Sequence, residues 1–243
     1  MKYSNPTIAE LRRALAAVVR THAELDNLCL EFDLSYDQFG GGIQPHANGL
    51  VSTLCERPDA DDALTRVVEY VLEHGYGDGT KRLLHLLRLD GFEWHKEQLI
   101  PTTPQPAALA QELSQLELDL QHFRLHVAAA HYRQAHESFA ASNWEAANGQ
   151  IRSFMENLLI ELGKQETSKA RPDPAAALQD LRDHGFIDHP EWQMFRGFWQ
   201  GIQDNGPHHG LSDEQETLFR LHVATSIARY VIHKSRSRSQ SRW

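Results

Sequence analysis

The chain has 243 residues, of which 41% are hydrophobic and 23% charged, with a formal net charge of −9. That length suits one large domain or two small ones with real cores, and no apolar run approaches the roughly 20 residues that a membrane-crossing helix needs. The acid excess argues against general nucleic-acid affinity, which is driven by Lys and Arg.

The N-terminus, MKYSNPTIAELRR, lacks the apolar segment that follows a basic one in a secretory leader. Cys29 and Cys55 sit in apolar surroundings and read as buried thiols of a cytoplasmic protein. The first helix is expected in NPTIAELRRALAAVVRT, with Asn5 as cap, Pro6 in the first turn, and Ile8, Leu11, Leu15 and Val18 or Val19 on one face. In ELDNLCLEFDL, Leu25, Leu28, Cys29 and Phe32 share a second helical face, and FGGGIQPH then breaks the chain. HANGLVSTLCE and DADDALTRVVEYVLEH predict two more helices, the latter opened by acidic residues that suit a helix N-terminus. After GYGDG comes TKRLLHLLRL, and then GFEW and QLIP, which predict a short two-stranded ribbon. Pro101, Pro104 and Pro106 with their threonines mark a linker, so the domain boundary is expected near residue 104.

The second half is helical again. Residues 105–142 suit one long helix or two collinear ones, with His122 and His126 four apart on a helix. SNWE over 142–145 has the form of a capping box led by Ser142, and SDEQ over 212–215 that of one led by Ser212. Between them, Asp173-Pro174 and Pro190 start further helices. The expected fold is all-α: a small N-terminal helical bundle (1–79), a connector with the ribbon (80–106), a four- to five-helix bundle (107–234), and a disordered basic tail (235–243).

Residues 122–234 resemble the HEPN superfamily of all-α bundles. The resemblance lies in HYRQAHESFAASNWEAANGQIRSFMENLLIEL, LQDLRDHGFI and FWQGIQDNGPHHGLSDEQETLFRLHVATSIARYVI, in that order. Active members cleave RNA without metal, using an arginine that precedes a histidine with four to six residues between them. The chemistry suits the pair: a guanidinium fork stabilises the charge developing on phosphorus, and an imidazole moves a proton near neutral pH. Here Asn205 and His209, beside His208, match the family's polar residue and histidine, but Asp204 stands where the arginine belongs. That acid would repel a phosphate. Arg196, two helical turns upstream, is the nearest candidate for a replacement cation. Arg182 and His189 have the right spacing, in a segment that reads as a loop.

Residues 6–75 resemble the effector-associated, death-like bundles of prokaryotic conflict and signalling proteins. ELDNLCLEFDLSYDQFGGG carries that likeness through Leu25, Leu28, Cys29, Phe32, Leu34, Tyr36 and Phe39. The basic segment that often follows in the family is replaced by IQPHANGLV, without Lys or Arg. Such modules are homotypic adaptors, which nominates Leu28, Phe32, Tyr36 and Phe39 as interaction residues.

Other chemistry is weaker. The glycine runs lack phosphate-loop spacing, HFRLH lacks the glutamate of a zinc-protease motif, and neither cysteine has a protease-like signature. No cofactor or metal is expected. Trp144, Trp192, Trp199 and Phe198 read as core anchors, because stacking platforms come with a positive groove. Three functions stay open: a catalytically silent adaptor or scaffold of a prokaryotic defence or abortive-infection system, a metal-independent ribonuclease using His209 with Arg196 or a partner's cation, and simple oligomerisation. The implied partners are a second copy bound through the C-terminal bundle and a matching death-like module, with RNA less favoured and no membrane.

Overall fold

A computed structural model describes residues 2–39, 41–75, 77–102, 106–203 and 212–240; for 106–110 and 239–240 only the backbone is described. The fold is all-α, with one small ribbon among the described residues. No described helix is long and apolar enough to cross a membrane. The chain divides into two compact units, Met1–Ser114 and Gln115–Trp243.

The first unit holds α1 (Asn5–Val18), α2 (His22–Leu30), a short 3-10 turn (Tyr36–Gln38), α3 (Ile43–Cys55), α4 (Ala60–His74), α5 (Asp78–Leu89), β1 (Phe92–His95) and β2 (Gln98–Pro101). Helix α1 starts at Asn5, one residue earlier than a cap there would allow, so Ser4 takes the cap position. Thr21 and Glu24 form a full capping box on α2. The apolar faces converge on Leu11, Leu15, Leu50, Leu54, Leu64 and Val67, none of them exposed. Each such side chain contributes roughly 1.5–3 kcal/mol on burial. Leu83, Leu87 and Phe92 belong to the same core. The stretch 80–106, expected as a connector, therefore supplies part of the first unit's interior. The ribbon is antiparallel with Trp94 opposite Leu99, and its turn residues Lys96 and Glu97 both take positive φ, the backbone of a tight hairpin. Both cysteines are free; burial pushes the Cys29 thiol up to about 11.

Helix α6 (Pro106–His122) runs across the division between the units. The second unit continues with α7 (His126–Ala140), α8 (Trp144–Thr167), α9 (Pro174–Asp183), α10 (His189–Gly201) and α11 (Glu214–Gln240). Arg124 takes φ 58° between α6 and α7, so His122 and His126 do not share a helix. Helices α7 and α8 form an antiparallel hairpin, pinned by Phe139 on Trp144 (5.1 Å) and by Tyr132 on Phe154 (5.1 Å). Ser142 occupies the left-handed region at φ 58°, so the cap of α8 passes to Asn143, whose side chain accepts the Ala146 N–H. Asp213, not Ser212, accepts the Glu216 N–H at the start of α11. Gly163 lets α8 approach α9, where a Cβ would lie 3.1 Å from that of Ala177.

The basic tail differs from expectation. Of the tail expected over 235–243, residues 235–240 continue α11, with Ser235, Arg236 and Arg238 finding partners on the bundle, and 241–243 lie outside the described residues. Ser235 is buried and donates to Glu166, and Arg236 reaches Asp119 at 3.0 Å. Arg229 binds the same carboxylate, which is itself buried on α6. A carboxylate taken out of water needs such partners.

Candidate functional site

The nominated turn residues Asn205, His208 and His209 lie outside the described residues, as does Asp204. Arg196 is described. It projects from α10 with its guanidinium 5.0 Å from the centre of the Trp192 ring, one helical turn earlier. Arg182, at the end of α9, lies 4.7 Å from the same ring centre. His189, the first residue of α10, stacks near-parallel to it, 5.8 Å away. The chain reverses through Gly185, at φ 68°, which folds α10 back on α9. The Arg182/His189 spacing noted in the sequence is thus brought onto one indole.

Trp192 is half-buried and borders a groove of about 290 Å³ between α9 and α10, with Ala175, Leu178 and Gln179 on one side and Arg196, Trp199 and Gln200 on the other. Asp180, Asp188 and Glu191 are engaged elsewhere. Asp180 is held by Arg171 and Lys169 and thereby kept below the usual carboxylate range. Asp188 caps α10. Burial pushes the Glu191 carboxyl up, but hydrogen bonds from Lys234 and Tyr230 outweigh it and leave it low. Asp183 accepts from Gln179 at 2.7 Å and from Arg182 only at 3.5 Å.

A second polar group is buried inside the bundle. His136 on α7 and Asn148 on α8 each lie four residues from the hairpin turn, between the two aromatic contacts that pin it. Tyr132 meets Thr225 of α11, and His222 acts on His136, so α11 runs antiparallel to α7 and brings Arg220 to the same end. All three side chains are more than nine-tenths buried. Among the described residues, both nitrogens of His136, both polar atoms of Asn148 and Nη1 of Arg220 find no hydrogen-bond partner. Desolvation, helped by His222, depresses the His136 imidazole to about 3. It is neutral at physiological pH and is no general base tuned near 7. Sequence periodicity misses this group because His136 and Asn148 look like polar residues of a solvated face.

In the first unit, Leu28 and Phe32 are core residues, each 2% exposed. Phe39 is half-buried and covers Gly49 of α3, where a Cβ would clash with its ring. Tyr36 is half-buried, hydrogen-bonded to His22 and stacked 3.9 Å from His46. It borders a groove of about 590 Å³ that also takes in Asp26, Asp33, Asp37 and Leu30, the last 61% exposed. A separate groove of about 430 Å³ lies between α1 and α3, lined by Arg12, Arg13, Gln44, Asn48 and Ser52. The two share no residue. One is acidic around an exposed leucine, and the other carries two arginines, of which Arg13 is paired with Glu10 at 3.3 Å.

Among the described residues no group of three or more His, Cys, Asp or Glu side chains is placed to hold a metal ion. No protein-family model, curated protein or solved structure matches the chain.

Proposed function

We propose that the chain is a non-catalytic adaptor or scaffold of a prokaryotic defence or abortive-infection-type system. Its first unit acts as a death-like docking module and its second as a silent, self-associating HEPN-like bundle. The observation that carries this reading is the pair of oppositely charged grooves on the first unit, Asp26/Asp33/Asp37 around Leu30 and Arg12/Arg13 between α1 and α3. Complementary patches on different faces of one module favour head-to-tail association, and opposite charges fix its register. Support for self-association of the second unit comes from an apolar stripe. Phe219 (64% exposed) and Tyr230 (45%) lie on one side of α11 with half-buried Val223 between them. Exposed apolar area of this kind marks interaction surfaces.

The test is mixing. Asp33→Lys/Asp37→Lys disables the acidic groove, and Arg12→Glu/Arg13→Glu the basic one. Each variant alone loses the larger assemblies of the wild-type chain in sedimentation velocity, and an equimolar mixture restores one junction per pair. Variants that assemble as the wild type does would overturn the reading. A defence role further requires that protection of a host from phage disappear with the same reversals.

A further inference from the structure

We infer that the Trp192 cluster is a binding site for a small phosphate monoester carrying a flat group, that is, a free nucleoside monophosphate. The inference is independent of the docking grooves and involves only the second unit.

Three basic side chains converge on one indole: Arg182, His189 and Arg196. The two guanidiniums lie within about 10 Å of each other, one Debye length at 0.1 M salt, so they repel. Among the described residues neither Arg196 nor His189 has a carboxylate partner, and Arg182 has only Asp183 at 3.5 Å. The nearby acids Asp180, Asp188 and Glu191 are each turned to other partners. Like charges gathered on a chain of net charge −9, with Asp183 their one carboxylate contact among the described residues, favour an anion brought from outside.

The geometry selects the kind of anion. A guanidinium held over an aromatic face keeps its in-plane N–H donors free, and these match phosphate or carboxylate oxygens. Two such forks balance a dianion. A phosphate monoester approaches that charge near neutral pH, with a second pKa of about 6, whereas a carboxylate or phosphodiester carries a single charge. The adjoining groove selects the rest of the ligand. Leu178 and Trp199 give its lining an apolar part, and Gln200 adds an amide, that of Gln179 already donating to Asp183. Amide side chains pair with the donor and acceptor edges of bases. Its volume of about 290 Å³ lies just under the usual range of ligand pockets, roughly 300–1,000 Å³, which suits a ligand as small as one nucleotide.

Calorimetric titration of the full chain decides the matter, with AMP, GMP, CMP and UMP, with adenosine, with inorganic phosphate, and with a tetra-adenylate whose ends are both hydroxyl. At least one monophosphate is expected to bind ten-fold or more tightly than its nucleoside and than the tetra-adenylate. Arg182→Gln and Arg196→Gln each weaken it at least five-fold, and Arg196→Lys, which keeps the charge but not the fork, gives an intermediate loss. Arg196 is exposed, so its variants keep the fold, which circular dichroism verifies. Absence of binding at millimolar monophosphate, equal binding by the Arg182→Gln/Arg196→Gln double variant, or tighter binding of tetra-adenylate or of inorganic phosphate alone would each overturn the assignment.

Discussion

His136 of α7 lies across the helical hairpin from Asn148 of α8, and neither side chain finds a hydrogen-bond partner among the described residues. An unmade hydrogen bond of a buried polar group costs about 1–3 kcal/mol, whereas apolar groups of similar shape are neutral or stabilising. The double variant His136→Leu/Asn148→Leu is therefore expected to unfold at higher urea, by about 1–3 kcal/mol. A loss of stability of that size would mean that the polar atoms are satisfied in solution by water or an ion.

The same histidine sets a pH dependence, and Asp90 sets the opposite one. Burial depresses the folded His136 to about 3 against an ordinary 6.5. As pH falls through that window the unfolded chain takes up a proton that the folded chain refuses. The second unit then loses stability, roughly 5 kcal/mol at the limit. Asp90 accepts the Ser4 N–H in a fully buried setting that raises its carboxyl to about 6 from 3.8. Between pH 6 and 3.8 the folded state binds the extra proton, and the first unit gains up to about 3 kcal/mol from this group. Hydrogen exchange at pH 7 and pH 5 reads the two units separately. Amides of α7 and α8 are expected to exchange more readily at pH 5, after correction for intrinsic rates. His136→Leu removes that trend, and Asp90→Asn removes the gain in the first unit.

Asp119 is a single buried carboxylate serving Arg229, Arg236 and Gln115. Replacing it removes the carboxylate that Arg229 and Arg236 share. Both arginines are partly exposed, so water recovers some of the loss, and the cost falls below the 3–5 kcal/mol of a fully buried pair. Asp119→Ala is expected to destabilise the second unit by about 2–3 kcal/mol. Limited trypsin digestion should then cut after Arg236 and Arg238 before anything else. Unchanged resistance there would show that Ser235 and its bond to Glu166 hold the helix end without the acid.

Most of the helices were legible because their apolar residues recur at helical spacing, and the ribbon because GFEW and QLIP flank a short polar turn. What the sequence concealed was settled by tertiary contact. The break between α6 and α7 occurs at Phe123–Leu125, without glycine or proline, and only the positive φ of Arg124 marks it. The tail reads as disordered from SRSRSQ, yet Asp119 and Glu166, more than sixty residues away, draw Arg236 and Ser235 onto the bundle. The sequence also hides that Arg182 and Trp192, ten residues apart, meet, since the reversal at Gly185 brings that arginine over the indole.

The proposed silence of the bundle has a direct biochemical consequence. Metal-independent RNA cleavage needs a cation on the scissile phosphate and a group that moves protons near neutral pH. In the sequence, Asp204 stands where the HEPN resemblance expects an arginine. Arg196 is held over Trp192 on the side of α10 that borders α9, and the buried His136 stays neutral down to about pH 3. Labelled tRNA or total RNA incubated with the pure chain in EDTA is therefore expected to remain intact, and the His208→Ala/His209→Ala variant to behave identically. Cleavage by the wild type that disappears in this variant would establish the ribonuclease in place of the scaffold. If Arg196→Gln also abolished it, the cation would be the one on α10, and the Trp192 stack would be a resting position from which that arginine is released.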